Sequence, residues 1–403
     1  MIDRRSRLPF SSIHHIEIMD FTLSEEQQML RDLGRRFADE ELLPRAADVD
    51  VRGEVSTEVL TKAIEIGLLG AVFPEEYDGG GFGEVGYCLL MEELARGCMS
   101  TAIVIGGHES IGAMSIYLAG SPDQKSKYLK PMARGALLGA FALTEPQAGS
   151  DAAAMTTFAE ETEGGFVLNG QKTFITNGGL ADVYVVFALT EKGIGTKGVS
   201  AFIVEKNFAG FRSGPPEKKM GIRGSHTTDI FFEDMFVPTE NLLGKRGSGF
   251  KIAMETLDVG RLSVAAICLG VAKEALDLSL KYSLERVQFG KPIGDQQAVK
   301  FMLADMAGLI YSLESTLYRT ADLCDRKMPF SRESAICKLL ASEYLGQIVD
   351  KAVQIHGGMG YMADYPIERM YRDARITRIF EGTNEIQRLI IGSNLLKMGK
   401  YEV

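Results

Sequence analysis

The spacing of apolar residues changes twice along this chain, and this change constrains the fold more than any other feature. Residues 19–136 carry apolar residues at helical spacing, residues 137–246 form short alternating runs between turn residues, and residues 247–403 return to longer helical runs. Apolar residues three or four positions apart predict amphipathic helices, whereas alternation predicts half-buried strands. We therefore predict an α+β protein with an N-terminal helical domain, a middle β domain and a C-terminal helical domain.

Two local patterns support this division, and one segment falls outside it. Asn169-Gly170 lies between two apolar runs, which predicts a β-hairpin turn in the middle domain. Apolar residues from Val299 to Leu313 keep helical spacing over four turns, which favours a four-helix bundle at the C-terminal end. Residues 1–18 match nothing that follows, and we predict that they are an N-terminal extension, disordered or non-native.

Length, charge and cysteine content argue against several classes of protein. A chain of 403 residues can bury a large core, and a net charge of −10 argues against a nucleic-acid surface, which needs a basic stripe. The five cysteines form no CxxC pair, which favours a reduced, intracellular protein without a metal site. The best candidate for a membrane span, residues 262–272, is shorter than the roughly 18 residues that a span needs.

A single carboxylate near the C-terminus is the first candidate for chemistry. Gly382 permits a backbone angle that interrupts a helix, and Thr383 is a plausible N-cap for a helix that begins at Asn384. Glu381 is therefore predicted to lie on a short corner between two helical segments, beside Phe380. Apolar surroundings would raise the pKa of such a carboxyl towards neutrality, as a general base requires. The alternative from spacing alone is an ordinary surface glutamate in a turn.

Four further stretches carry residues that suit a flat ring and a pyrophosphate. Residues 141–151 combine a strand end with Gly149-Ser150, where the backbone can approach a ligand. Residues 172–178 place an aromatic ring and a hydroxyl on one face of a strand. Residues 285–291 and 354–361 add an arginine and glycine-rich turns, which can bind a pyrophosphate without a Rossmann sheet. Each stretch alone is also compatible with a turn, hairpin or helix cap.

In their joint order these stretches resemble the acyl-CoA dehydrogenase family, from Met19 to about Lys400. Residues 142–151 are similar to the family's first signature and residues 354–373 to its second, and Glu381 matches the catalytic glutamate of straight-chain members. The resemblance implies the family fold, with a β-barrel-like middle domain and a C-terminal four-helix bundle. It also implies non-covalent FAD, held between the β domain and the bundle.

The same resemblance implies roles for individual residues. The flavin would be lined by Phe141, Leu143, Thr144, Gly149, Ser150, Phe174 and Thr176, and Thr383 and Glu385 would complete its site. The adenosine and pyrophosphate of a neighbouring subunit's FAD would be held by Arg286, Gln288, Phe289, Gln297, Gln354, Gly357 and Gly358. The CoA thioester would be contacted by Ser150, Thr190, Asp258, Arg261 and Gly382.

The implied reaction is α,β-dehydrogenation of an acyl-CoA to the trans-2-enoyl-CoA, a step of fatty-acid β-oxidation. Glu381 would remove the α-proton while the β-hydrogen leaves as hydride to flavin N5. The thioester oxygen would be bound by the backbone N–H of the base and a flavin ribityl hydroxyl. The sequence most resembles the short-chain or short-branched-chain members. Further implications are a homotetramer built as a dimer of dimers, electron-transfer flavoprotein as acceptor, and a cytoplasmic location in bacteria or the mitochondrial matrix in eukaryotes.

Several alternatives remain at this point. Isovaleryl-type members place their base at the position of Gly260, which excludes that option, and glutaryl-type members use an arginine that residues 97–124 lack. His108 and Glu109 could reach the acyl pocket or be a satisfied helix feature. An acyl-CoA oxidase, a nucleic-acid-binding flavoprotein of the same fold and a flavin-free structural oligomer are the rival functions.

Overall fold

The computed structural model of the protein describes residues 22–400. The predicted extension at residues 1–18 lies outside the described residues. The chain begins with helices, then forms one mixed sheet, and returns to long helices. This order confirms the predicted fold class.

The first segment is helical because its apolar residues repeat at helical spacing and its helices are capped. The Ser24 hydroxyl accepts a hydrogen bond from the Gln27 N–H at 3.1 Å, and the Gln27 side chain accepts one from the Ser24 N–H. Residues Ala38–Leu42, Gly107–Ala113 and Lys125–Leu129 form π-helical turns. The α-helices are α1 (Glu25–Phe37), α2 (Ala46–Arg52), α3 (Thr57–Glu65), α4 (Gly83–Gly97), α5 (Met99–Gly106), α6 (Met114–Ala119), α7 (Pro122–Gln124) and α8 (Lys130–Ala133).

The middle segment forms an eight-stranded sheet in the order β6-β7-β3-β2-β4-β5-β8, with β1 parallel to β4. Its two faces bury separate apolar clusters, one against the helices and one within the sheet. The strands are β1 (Gly139–Ala142), β2 (Phe158–Thr162), β3 (Gly165–Thr176), β4 (Val183–Leu189), β5 (Val199–Glu205), β6 (Phe211–Ser213), β7 (Thr227–Pro238) and β8 (Leu242–Leu243).

The hairpin predicted at Asn169-Gly170 is wrong. Both residues lie inside the continuous strand β3, where the register against β7 shifts between Leu168 and Gly170. The turn between β2 and β3 comes earlier, at Gly164, whose φ of +80° suits glycine. An Asn-Gly pair supplies the same permissive backbone to a bulge as to a turn, so the pattern alone could not separate the two.

The last segment is built around one long helix. It contains α9 (Gly249–Glu285), β9 (Val287–Gln288), β10 (Lys291–Pro292), α10 (Gln297–Asp325), α11 (Ser331–His356), α12 (Pro366–Ala374) and α13 (Asn384–Met398). Helix α9 packs against α4, α10 and α11, so the first and last helical segments share one apolar core. At Gly270 a Cβ would lie 2.0 Å from the Glu92 carbonyl oxygen, so glycine allows α9 to approach α4.

One helical stretch within residues 22–400, Met99–Ala119, is long and apolar enough by composition to cross a membrane. The sequence did not predict this long stretch, because three successive helical segments join to form it. Of its most apolar window, 72% is buried inside the protein, as in the core helix of a folded domain. Such a helix is weak evidence for a membrane span.

Candidate active site

Glu381 lies on a corner between a 3₁₀ turn, Arg375–Arg378, and helix α13. Its backbone φ is +52° and that of Gly382 is +90°, so two successive residues leave the right-handed region. The Thr383 hydroxyl then accepts a hydrogen bond from the Ile386 N–H at 3.4 Å and caps α13. A left-handed conformation is costly for a residue with a Cβ, so the surrounding contacts must hold Glu381 in this position.

The carboxylate of Glu381 points towards helix α9. Its Oε2 atom is buried and has no hydrogen-bond partner among the described residues. A Cβ added to Gly260 would lie 2.5 Å from this oxygen and 2.8 Å from the Ile111 side chain. The missing side chain of Gly260 therefore makes the space that the carboxylate occupies.

Burial raises the pKa of Glu381 to about 7, because water no longer stabilises its charged form. Two cations act in the opposite direction, Arg261 on α9 and Lys338 on α11. Arg261 is almost fully buried and forms an ion pair with Asp258, which offsets part of its charge. The result is a carboxyl that is partly ionised at neutral pH, as proton abstraction requires.

The backbone of the corner is held by side chains from α11 and α13. The Gln387 side chain donates hydrogen bonds to the carbonyl oxygens of Glu381 at 3.2 Å and Gly382 at 2.9 Å. Lys338 donates a third to the Gly382 carbonyl at 2.8 Å. Within the part of the chain that the structure describes, the Glu381 N–H donates no hydrogen bond and is available to an acceptor.

A buried ion pair anchors the loop that follows β1. Lys172 on β3 bonds to Glu145 at 2.7 Å and to the Leu143 carbonyl at 3.1 Å. Although burial opposes its ionisation, Glu145 has a pKa lowered to about 2 by Lys172 and by hydrogen bonds from Thr156 and Thr157. The pair fixes the loop relative to the strand that carries Phe174.

Models of one family match all three segments of this chain. The acyl-CoA dehydrogenase N-terminal domain matches residues 24–136, the middle domain residues 140–235 and the C-terminal domain residues 247–396. The chain belongs to the acyl-CoA dehydrogenase family.

Two curated relatives match over nearly their whole length. An acryloyl-CoA reductase (NADH) of Anaerotignum propionicum is 48% identical over 381 residues, 94% of this chain and 96% of the relative. A short-chain specific acyl-CoA dehydrogenase of Clostridium acetobutylicum is 44% identical over 379 residues, 94% of this chain and 100% of the relative.

Solved structures agree. Butyryl-CoA dehydrogenase of Megasphaera elsdenii superposes with a TM-score of 0.92 at 44% identity, over 94% of this chain and all of that one. A chain from structural work on the electron transferring flavoprotein of Acidaminococcus fermentans gives 0.93 at 47% identity, over 94% of this chain and all of that one. An acyl-CoA dehydrogenase of Bacillus anthracis complexed with FAD gives 0.89 at 42% identity, over 94% and 68% of the two chains. The expected enzyme class and FAD cofactor are thus confirmed for the family.

Residues that an acyl-CoA dehydrogenase would use for FAD have unusual local features here. Phe174 is 67% exposed with a φ of +58°, and Phe289 is 94% exposed with a φ of +54°. A Cβ at Gly149, Gly357 or Gly358 would meet no atom of the described residues within 4 Å. Exposed rings in costly conformations, and glycines whose backbone is open, fit a bound aromatic cofactor, because the cofactor would cover the rings and approach the backbone.

Some expected site residues form no hydrogen bond or ion pair with Glu381 among residues 22–400. Thr190 hydrogen-bonds to Ser200 at 2.8 Å, and its carbonyl accepts a hydrogen bond from Arg246. No hydrogen bond or ion pair among residues 22–400 joins the β9–β10 hairpin to Glu381. The hairpin residues Arg286, Gln288 and Phe289, with Gln297 and Gln354, therefore stay predictions, as do Glu385 and the flavin-lining residues.

Three residues that organise the site were missed in the sequence: Lys338, Gln387 and Glu145. Gly382 and Lys338 are 44 residues apart, and only the packing of α11 against the corner joins them. Glu145 lay inside a recognised motif, but its partner Lys172 is 27 residues away. No local spacing rule could have paired them.

His108 and Glu109 lie in the π-helical turn Gly107–Ala113. His108 accepts a hydrogen bond from the Gly139 N–H at 2.8 Å, and its other ring nitrogen lies 3.2 Å from the Leu69 and Met132 carbonyls. Burial lowers the pKa of His108 to about 4, so the ring is neutral and joins the first helices to β1. These contacts favour the structural interpretation of His108.

Proposed function

We propose that the protein dehydrogenates a short acyl-CoA to the trans-2-enoyl-CoA, with Glu381 as the base that removes the α-proton. Acyl-CoA dehydrogenation is the activity that the family and its named relatives support. The observation that supports Glu381 is its buried Oε2, on a corner where neither this oxygen nor the Glu381 N–H has a hydrogen-bond partner among residues 22–400.

Two features of the corner would help to remove the weakly acidic α-proton. The α-proton of a thioester is far less acidic than a carboxylic acid, so an exposed glutamate would remove it too slowly. Burial raises the pKa of Glu381 to about 7 and makes the carboxylate a stronger base. The free Glu381 N–H would donate to the thioester oxygen, where negative charge develops as the proton leaves.

FAD would be held by the residues with open backbone or exposed rings. Those expected on the flavin are Phe141, Leu143, Thr144, Gly149, Ser150, Phe174, Thr176, Thr383 and Glu385. When bound, FAD supplies the acceptor for the hydride that leaves the β-carbon. The buried Lys172–Glu145 pair keeps the loop at residues 144–150 in place for that contact.

The thioester and CoA would lie against residues that flank the corner. Ser150, Thr190, Asp258, Arg261 and Gly382 are the proposed contacts. Asp258 and Arg261 lie on α9, and Arg261 is near enough to Glu381 to lower its pKa. A short acyl chain is supported by the names of two relatives, a short-chain specific enzyme and a butyryl-CoA dehydrogenase.

A homotetramer would complete the site. Phe289 is 94% exposed, Tyr361 84% and Leu389 64%, all in the C-terminal segment. A second copy would cover these apolar side chains and bring Arg286, Gln288, Gln297, Gln354, Gly357 and Gly358 to the FAD of its neighbour. Electron-transfer flavoprotein is the proposed acceptor, supported by the Acidaminococcus structure. The proposed location is the cytoplasm of a bacterium or the mitochondrial matrix, since named relatives include both bacterial and mitochondrial enzymes.

Reduction of an enoyl-CoA is a second candidate, because the relative of Anaerotignum propionicum is named as a reductase that uses NADH. The same corner can run in this direction, with protonated Glu381 returning a proton to the α-carbon. Assays with acryloyl-CoA and NADH, and with butyryl-CoA and a dye acceptor, would separate the two directions.

The test is a panel of acyl-CoAs with a dye acceptor, run on the purified protein and on Glu381→Gln. We expect the variant to stay folded and yellow and to lose turnover by several orders of magnitude. Glu255→Gln, an exposed glutamate on α9, is the matched control and should keep full activity. Near-normal turnover of Glu381→Gln would refute the assignment, and peroxide formation in air would indicate an oxidase.

A further inference from the structure

Lys338 is a buried cation next to the corner. Its side chain is fully buried in α11, and its Nζ donates to the Gly382 carbonyl at 2.8 Å and to the Asn384 side-chain oxygen at 3.1 Å. No carboxylate of residues 22–400 forms an ion pair with it. The other fully buried lysine, Lys172, does have such a partner in Glu145.

An ammonium without a counter-ion is expensive to bury, because it loses its hydration and gains no opposite charge. Burial accordingly lowers the pKa of Lys338 to about 8, so that the charged form still predominates at neutral pH. The Glu381 carboxylate is among the groups that favour the charged form. A site that also bears negative charge on the substrate would favour it further.

The hydrogen bonds of Lys338 are not needed for the stability of the fold. The Gly382 carbonyl also accepts from Gln387 at 2.9 Å, and the Asn384 oxygen also accepts from Ser342 at 3.0 Å. Both acceptors would keep a donor if Lys338 were replaced by an apolar residue of similar length. Replacing a buried ion pair by apolar residues is often neutral or stabilising, and a buried ion without a pair has less Coulombic stabilisation to lose.

We propose that Lys338 is a positioning residue for the reaction, which holds the Gly382 peptide and places a fixed positive charge near Glu381. This inference rests on the proposed function. The held peptide keeps the Glu381 carboxylate and N–H in fixed directions. The charge stabilises the ionised base before the proton is removed and the anionic thioester as it forms.

The charged groups around Glu381 and Lys338 come from three elements. Arg261 and Asp258 lie on α9, Lys338 on α11 and Glu385 at the start of α13, while the π-helical turn contributes the apolar Ile111. Arg261 forms an ion pair with Asp258, whereas Lys338 forms no ion pair with any carboxylate of residues 22–400. Loss of Lys338 should therefore raise the pKa of Glu381.

The test compares Lys338→Met, which removes both charge and hydrogen bonds, with Lys338→Gln, which keeps a donor. Lys351→Met is the control, a lysine on the same helix that pairs with Asp305 at 3.1 Å. For each holoenzyme we would measure bound FAD, Tm, kcat per FAD and the pH dependence of kcat/KM with butyryl-CoA. A structural role alone would change Tm and leave the pH profile in place.

We expect Lys338→Met to keep FAD and a Tm within a few degrees, and to lose about 100-fold in kcat, as when one stabilising donor is removed. The acidic limb of its kcat/KM profile should move up by about one pH unit, because a nearby positive charge is lost. Lys338→Gln should show the same shift with a smaller loss of kcat. The Lys351→Met profile should match the wild type.

A kcat per FAD within threefold of wild type and an unmoved limb in both Lys338 variants would overturn the inference. So would a large fall in Tm in both variants with kcat per FAD unchanged. Glu381→Gln distinguishes this failure from that of the proposed function. If it is inactive while Lys338→Met is normal, only the role of Lys338 is lost; if it is active, the base itself is wrong.

Discussion

At the scale of single residues, backbone strain coincides with the expected chemistry. Eight non-glycine residues among residues 22–400 have a positive φ, and three of them are Glu381, Phe174 and Phe289. Each such residue costs on the order of 1–3 kcal/mol, which must be offset by its surroundings. Spacing along the sequence predicted the corner at Glu381, because Gly382 and Thr383 follow it. It gave no sign of strain at the two phenylalanines.

A substitution at Gly260 tests whether the space beside the proposed base, Glu381, matters for activity. In Gly260→Ala the new Cβ would meet Glu381 Oε2 at 2.5 Å and Ile111 at 2.8 Å. The carboxylate must therefore move, and we expect kcat to fall by about 10- to 100-fold, as for a small misplacement of a catalytic group. Stopped-flow kinetics with butyryl-CoA would measure the change.

Gly308→Ala is the matched control for Gly260→Ala. A Cβ there would meet nothing within 4 Å, so alanine should stabilise α10 by up to about 1 kcal/mol and leave kcat unchanged. Equal kinetics for both variants would show that Gly260 makes no room for the base.

Substitution of Glu109 tests whether this buried carboxyl makes folding stability depend on pH. It is fully buried, its Oε2 has no partner among the described residues, and burial raises its pKa to about 8. A raised carboxyl pKa in the folded protein gives stability that is present at acid pH and is lost as pH rises through about 8. Glu109→Gln should therefore raise Tm at pH 8 more than at pH 5.

Scanning calorimetry at both pH values would measure this difference. Glu163→Gln, an exposed residue in the β2–β3 turn, should change Tm equally little at each pH. A lower Tm for Glu109→Gln at pH 8 than at pH 5, relative to wild type, would contradict the raised pKa.

At the scale of elements, the features that the sequence did not predict are concentrated in strand β3. Alternation predicted a strand at residues 171–175, but two register shifts against β7 place Lys172 in the interior and Phe174 in solvent. Bulges depend on the pairing of β3 with a distant strand, so spacing within β3 could not locate them. Spacing within α11 likewise could not predict the partners of Lys338, because they lie on a segment that packs against this helix.

Substitution of Lys172 tests whether its ion pair with Glu145 holds the loop at residues 144–150 against strand β3. Removing one partner from a buried pair leaves an uncompensated charge and typically costs about 3–5 kcal/mol. We expect Lys172→Met to lower stability and to release FAD at lower denaturant, since the loop at residues 144–150 loses its anchor. Urea titration followed by flavin fluorescence would measure both effects.

The double variant Lys172→Met with Glu145→Gln removes the unpaired carboxylate and should recover part of that loss. Lys206→Met, a half-exposed lysine paired with Asp182, is the control and should cost less than about 1 kcal/mol. Additive losses in the double variant would show that the two residues do not act as a pair.

At the scale of the whole molecule, the order of segments was predictable and the completeness of the site was not. Helical, alternating and helical spacing gave the fold class, because each pattern is local. The expected residues Arg286 and Gln354 form no hydrogen bond or ion pair with Glu381 among residues 22–400, and the C-terminal segment exposes apolar side chains such as Phe289 and Tyr361. Those exposures support a shared site between subunits.

Substitution of Phe289 tests whether two subunits share the FAD site. The side chain is 94% exposed, and we expect Phe289→Ala to weaken both FAD retention and subunit association, because one apolar contact serves both. Sedimentation velocity and FAD release on dilution would measure the two effects. Met29→Ala on α1, at 71% exposure, should change neither. FAD retention that does not depend on protein concentration would argue for a site complete within one chain.

Removal of the α-proton by Glu381 is most directly tested in a single turnover. Holoenzyme would be mixed anaerobically with butyryl-CoA deuterated at the α-carbon, and loss of the yellow flavin absorbance followed across pH. The rate should rise through pH 7, fall several-fold with α-deuterium, and nearly vanish in Glu381→Gln. A rate independent of both pH and deuterium, with Glu381→Gln as fast as wild type, would contradict the account.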